Sequence, residues 1–157
     1  MATPAARRHV LRYVLATAVA GSVGTVLGGV HPYWAMVAAS ASLGGPHRRA
    51  RYVRGTHSVV GTLLGVLLAW PVLALAPSGL GLVVLIAVLQ IGAELLVGRN
   101  YALALLFITP LALAMGQLVS RAPLGPLLLD RAVETVLGFV VAAAAMELVR
   151  ERRSPAA

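Results

Sequence analysis

Apolar residues fill this chain in six blocks, and polar residues are confined largely to the gaps between them. The blocks lie at about 10–30, 32–45, 58–76, 80–97, 101–119 and 131–149. Five of them approach the roughly 20 apolar residues that a helix needs to cross a bilayer. The pattern therefore predicts an all-α fold, a polytopic integral membrane helical bundle. The second block is short and is bounded by Pro32 and the turn-like Gly44-Gly45-Pro46. It fits a crossing at a locally thin region, a helix that runs on past its apolar part, or a re-entrant helix. The first block is longer than a signal-peptide core and five more follow it, so it reads as a retained helix.

Charge separates these arrangements. All 13 cationic residues are arginine, and the net charge is +8. With the N-terminus inside and block two crossing, Arg7, Arg8, Arg12, Arg48, Arg49, Arg51, Arg54, Arg99, Arg150, Arg152 and Arg153 share the cytoplasmic side, leaving only Arg121 and Arg131 outside. That split follows the positive-inside bias, and a re-entrant block two would spoil it. The expectation is six transmembrane helices with N- and C-termini cytoplasmic, in a multi-pass protein of a bacterial-type plasma membrane. Residues 1–9 and 150–157 are expected as cytoplasmic tails around a transmembrane domain over 10–149. The outer connections are His31-Pro32, Pro77–Gly79 and the longer stretch Ser120–Leu129. Tyr33, Trp34 and Trp70 would form an outer aromatic girdle, and Tyr13, Tyr52 and Tyr101 an inner one.

Composition narrows the function. The chain is 59% hydrophobic and 11% charged, with a mean hydropathy of +0.88, outside the usual range of soluble domains. The arginines flank apolar blocks instead of forming a patch with interleaved aromatics, so no nucleic acid is expected as a partner. There is no cysteine. No lysine-bearing phosphate loop and no nucleophile-and-base arrangement occurs, so the chain is read as no enzyme. His9, His31, His47 and His57 lack metal-ligand spacing, and neither a metal nor a cofactor is expected.

Helix-packing candidates come from a small recurrent motif: GTVLG at 24–28, GTLLG at 61–65 and ETVLG at 134–138. Gly24 with Gly28 and Gly61 with Gly65 share a helix face, and Gly138 continues the theme. In lipid, small residues let backbones approach so that dispersion contacts accumulate. Few carboxylates enter the apolar blocks, where a charge is costly without a partner or water. Glu94 lies about one turn from the inner end of its helix and reads as an interfacial group or a coupling site. Glu147 has Arg150 three residues on. Arg131 and Glu134 are also three apart and share a face. Glu134 either pairs with Arg131 and caps an outer vestibule or serves as a protonatable coupling group. Thr109-Pro110 interrupts the fifth helix, as a packing kink or as broken backbone lining a path. Asn100, Gln90 and Gln117 are expected to bond between helices.

Four ordered stretches together resemble the FUSC family, the fusaric acid resistance and aromatic acid exporter-like membrane proteins. HPYWAMVAASASLGG (31–45) is similar to the opening of the family's second helix. RRARYVRGTHSVVGTLLGVLLAW (48–70) is similar to its basic loop and Gly-Thr-x-x-Gly helix. RNYALALLFITPLAL (99–113) is similar to its Asn-Tyr-Ala-Leu helix with a Thr-Pro break, and DRAVETVLGFVVA (130–142) to its last helix. The chain departs at Ser58, where family members often carry arginine, and His57 stands beside it. Relatives with two membrane modules and large soluble domains are common, whereas this chain reads as one module. The resemblance implies a permease that exports organic acids, with aromatic substrates and proton coupling as options. Substrate-path candidates are Arg54, His57, Asn100, Tyr101, Thr109, Pro110, Arg131 and Glu134, and coupling candidates are Glu94 and Glu134. Membrane lipids, a small organic anion and a second copy in a homodimer are the expected partners. A passive anion channel, similar to the plant malate channels, and a non-transporting membrane subunit are the alternatives.

Overall fold

The computed structural model describes residues 4–75 and 79–148. Among them are six helices and no strand: α1 (Pro4–Val26), α2 (Tyr33–Leu43), α3 (Arg48–Ala74), α4 (Leu80–Val97), α5 (Tyr101–Val119) and α6 (Leu124–Leu148). Four stretches are long and apolar enough to cross a membrane: Ala6–Val26, Arg48–Ala74, Leu80–Val97 and Tyr101–Val119. α6, with 25 residues, has the length but carries Asp130, Arg131 and Glu134 in its first half. α2 has only 11 residues. At 1.5 Å per residue it rises about 16 Å, roughly half of the hydrocarbon thickness.

Three boundaries differ from the apolar blocks, each for a local reason. α2 does not run on past its apolar part: Gly44 and Gly45 follow Leu43, Gly45 has φ 151°, and Pro46 cannot continue a helix. The missing length is taken up by α3, which begins at Arg48, well before Ser58. The arginines there are good helix formers and, being polar, leave no trace in an apolar pattern. α6 begins at Leu124, so most of the expected loop Ser120–Leu129 is helical. Pro126 falls in its first turn, where the missing N–H has no acceptor to lose. α1 likewise starts at Pro4, so residues 4–9, expected as a tail, are helical. The expected tail 150–157 and part of the 77–79 turn lie outside the described residues.

α2 packs on α6, α1 and α3; α5 packs on α3 and α4. One apolar cluster joins Trp34, Ala69, Leu73, Leu82, Leu113, Leu127 and Leu128. A second joins Ala16, Ala20, Ala35, Ala39, Leu43, Ala142 and Met146. The second is rich in alanine because α1, α2 and α6 approach closely. A Cβ on Gly138 would come within 2.9 Å of the Ala39 backbone nitrogen, and one on Gly65 within 2.7 Å of the Leu105 carbonyl oxygen. Gly61 meets Ala102 and Leu105 in the same way. These three glycines stand where helices approach closely. Gly28 does not: it lies beyond the end of α1 with φ 81° and nothing near it. Gly24 makes room for a carboxylate instead of a helix backbone.

The α1 N-terminus, the α2–α3 turn and the α6 C-terminus meet at one end of the bundle. Arg48 bonds to Glu147 there, and the Tyr52 hydroxyl donates to Glu147 at 2.7 Å. Glu147 is thus engaged across helices by residues the i, i+3 pattern did not point to.

Candidate functional site

The buried polar residues concentrate in the bundle interior: Arg131, Glu134 and Thr135 on α6, Ser58 and Thr62 on α3, and Thr109 on α5. α6 sorts its share between two faces. Asp130 and Glu134, four apart, face the tip of the α1–α2 hairpin. Arg131 and Thr135, also four apart, face α2, α3 and α5. Residues four apart stack on one helix face, whereas the two pairs are offset around the axis.

On the hairpin face, the Asp130 carboxylate accepts from the Val30 backbone N–H at 3.2 Å and bonds His31 Nδ1 at 2.7 Å. Glu134 is 2% exposed. Its carboxylate packs where a Cβ on Gly24 or Gly29 would stand, and the Ala35 backbone N–H faces it. Ala35 lies in the first turn of α2, whose free N–H groups and dipole favour an anion. The same two carboxylates thus hold the hairpin tip to α6. Asp130 is six residues into α6, so the tip sits about 9 Å below the start of that helix. The expected capping of an outer vestibule by an Arg131–Glu134 pair is not found. The two side chains diverge because each has a nearer, better-oriented neighbour on its own side.

On the other face, Arg131 is 6% exposed. Its guanidinium carbon lies 5.1 Å from the centroid of the Trp34 ring, a cation–π contact. Its Nε has no hydrogen-bond partner, and no carboxylate pairs with it among the described residues. Trp34 is buried and stacks on His31 with centroids 4.4 Å apart. It is a core residue and not part of an exposed girdle, as the pattern had suggested; Tyr33 and Trp70 are exposed. Arg131 and Thr135 line a small cavity of about 80 Å³, together with Ser58, Thr62, Tyr101 and Ile108. Tyr101 carries the Arg54 guanidinium over its ring at 4.1 Å, and Arg54 Nε donates to the Ala41 carbonyl at 3.1 Å. Of its lining residues, Tyr101 carries Arg54 over its ring and Arg131 lies over Trp34.

The sequence candidates therefore separate. Tyr101 and Arg131 line the cavity, and Arg54 reaches it only through the Tyr101 ring. Thr109 and Pro110 are buried at the α3–α5 contact beside Gly65, with the Thr109 hydroxyl unpartnered. Glu134 lies on the hairpin face. His57 is exposed on the outside of α3. Asn100 caps α5, accepting from the Leu103 N–H at 3.2 Å, a local bond in place of the expected interhelical one. Glu94 is exposed on α4 and accepts from Gln90 at 2.7 Å, and Gln117 donates to the Ala122 carbonyl. Ser58, Thr62 and Thr135 line the cavity without having been singled out as path residues, and Trp34 lies behind Arg131. Their spacing carried a signal: Ser58 with Thr62 and Arg131 with Thr135 are each polar pairs at i, i+4 in apolar helices. Among the described residues no cluster of three or more potential metal ligands occurs.

Comparison with known proteins agrees with this architecture. Residues 15–145 match the model of the family described as fusaric acid resistance protein-like. The chain is also 30% identical over 132 residues to the uncharacterized membrane protein YvaC of Bacillus subtilis (strain 168). That alignment covers 83% of this chain but 21% of YvaC, so the chain spans about a fifth of that relative's length. No solved structure matches.

Proposed function

The chain belongs to the fusaric acid resistance protein-like family of membrane proteins, and on that premise we propose that it is a permease that carries small organic anions out of the cell. The observation that carries this reading is the buried Arg131 guanidinium, set against Trp34, without a carboxylate partner and lining a cavity. A fixed cation among hydroxyls and aromatic rings is complementary to an organic carboxylate: the guanidinium takes the charge, Ser58 and Thr62 offer hydroxyl donors, and Trp34 and Tyr101 suit an aromatic body. In low dielectric the unpaired charge is costly, and a bound anion offsets that cost.

The cavity's 80 Å³ is well below the ~300 Å³ at which ligand pockets usually begin. An organic acid enters only when the helices part. This favours a carrier that opens towards one side at a time over a permanently open channel. In this reading the arginine-rich end faces the cytoplasm, where Arg48, Arg49 and Arg54 gather anions, and Arg54 on Tyr101 is the inner gate. The bundle crosses the membrane six times with both termini inside, and α2 crosses only the thinner part left by the α1–α2 hairpin. Two copies assemble as a homodimer. Protons couple to the flux through Glu134 or Glu94.

The experiment is flux in proteoliposomes with a panel of aromatic and aliphatic acids, with and without a proton gradient. Arg131→Gln is expected to remove most of the flux while leaving folded protein. Saturable flux that follows the pH gradient supports the carrier. Ohmic current indifferent to pH selects the anion channel, and absence of flux with every acid overturns the reading. Loss of gradient dependence with exchange retained in Glu134→Gln identifies that residue as the coupling group.

A further inference from the structure

The cavity beside Arg131 is too small for an organic acid while the helices are closed, yet its walls carry a charge and donors of their own. We propose that in the closed bundle this cavity is a binding site for a halide ion, chloride or bromide, held as the counter-ion of Arg131. The assignment rests on the permease reading of Arg131 as the anion site, but it concerns a different ligand and a different state of the carrier.

Charge, donors and volume carry it. Among the described residues that line the cavity there is one cation, the Arg131 guanidinium, and no carboxylate. Arg131 is buried, and its Nε has no partner. One buried cation is balanced by one negative charge, whereas a divalent anion leaves a second charge desolvated and unmatched. Water can satisfy the donors but leaves the charge uncompensated. The ligand is therefore a monovalent anion.

Ser58 and Thr62 are four apart on α3, so they share the helix face that borders the cavity. Both are buried, and their hydroxyls can donate to an anion held by Arg131. The Thr135 hydroxyl cannot, because it donates to the Arg131 carbonyl at 2.8 Å. The remaining wall is largely apolar, with Val37, Ala38, Leu105 and Ile108. A guanidinium and two hydroxyls set among apolar side chains suit a spherical anion, which takes donors from any direction. The volume agrees. A halide is somewhat larger than a water molecule, whose share of liquid volume is about 30 Å³, and the cavity has about 80 Å³.

The ion has a use in the transport cycle. Once an organic acid has left, the helices close again over Arg131. A halide in the cavity removes the penalty of closing on a bare cation. It leaves when the helices part and a carboxylate takes its place.

The test is isothermal titration calorimetry of the full chain in detergent, in chloride-free buffer, with the sodium salts of chloride, bromide, fluoride and sulfate in turn. Chloride and bromide should each saturate at one ion per chain. Sulfate should not bind, because of its second charge, and fluoride should not, because its tighter hydration is costlier to strip. Arg131→Gln should abolish the binding. Thr62→Val keeps the cation and the side-chain volume and should weaken bromide binding about ten-fold, the loss of one hydrogen bond to a charged group. Arg49→Gln removes an equal charge outside the cavity and should leave binding unchanged. Chloride binding that survives Arg131→Gln, or that falls as far in Arg49→Gln, overturns the site. Unchanged bromide affinity in Thr62→Val overturns the placement in this cavity, and sulfate binding as tight as chloride overturns the assignment to a halide. Absence of chloride binding beside organic-acid flux that needs Arg131 sinks the halide site alone. Chloride binding without flux of any acid sinks the permease reading and leaves the halide site standing.

Discussion

The two faces of α6 use the same kind of residue for opposite ends. On one, Asp130 is matched to the Val30 N–H and His31, and Glu134 faces the α2 N-terminus, with its Oε2 left unpartnered. On the other, Arg131 is buried against an aromatic ring with its Nε unmatched. Carboxylates set against backbone donors and a histidine hold a structure together, whereas a buried cation with no anion beside it destabilises the fold and persists where a ligand uses it. The difference separates a hairpin anchor from a candidate binding site on residues that are adjacent in sequence.

The sharpest way to break this picture is at the glycine on which both faces depend. Gly138 lets α2 lie against α6. A Cβ at that position would already stand 2.8 Å from the Ala38 Cβ and 2.9 Å from the Ala39 nitrogen, so a leucine has no room. Gly138→Leu should abolish accumulation of monodisperse protein, since overpacking against backbone costs several kcal/mol or more where nothing can shift; size-exclusion profiles after membrane extraction measure it. Next in size is the contrast between faces. Arg131→Gln should lower flux per folded molecule about ten-fold or more, the cost of losing a charge-assisted contact to the anion. Its melting temperature should hold or rise, because a buried unmatched charge is removed.

Glu134→Leu should do the reverse. It leaves the Ala35 N–H facing hydrocarbon and costs about 1–3 kcal/mol in stability, with exchange flux per folded molecule, measured without a proton gradient, kept; a melt in detergent paired with liposome flux reads both. Equal flux losses in Arg131→Gln and Glu134→Leu at unchanged stability would erase the distinction between the faces. Asp130→Asn keeps the shape and weakens the bonds to His31 and Val30, for a smaller loss of about 1 kcal/mol. Last, Thr109→Val exchanges an unpartnered hydroxyl for a methyl of similar size. It should change stability by no more than about 0.5 kcal/mol and leave flux alone. A large flux defect there would move the path to the α3–α5 contact.

What the amino-acid order determined by itself was the class of molecule. Blocks of apolar residues long enough to cross lipid, arginines gathered into alternate gaps and four ordered signatures fix a helical membrane protein and its family, because these depend only on composition along the chain. The close approaches at Gly61, Gly65 and Gly138 were legible for the same reason: a residue without a side chain can serve close approach wherever a neighbour exists. Which neighbour each polar group meets was decided by tertiary structure. Arg131 and Glu134 sit one turn apart and looked like a pair. The hairpin tip and the α2 N-terminus claim one, and the Trp34 ring claims the other. Helix ends were also hidden: Arg48–His57 extends α3 with largely polar residues that an apolar pattern does not register, and Leu124–Asp130 extends α6 through Gly125 and Pro126, which read as a loop. A pattern along one helix reports its faces, but the depth and partners of those faces depend on where the other helices stop.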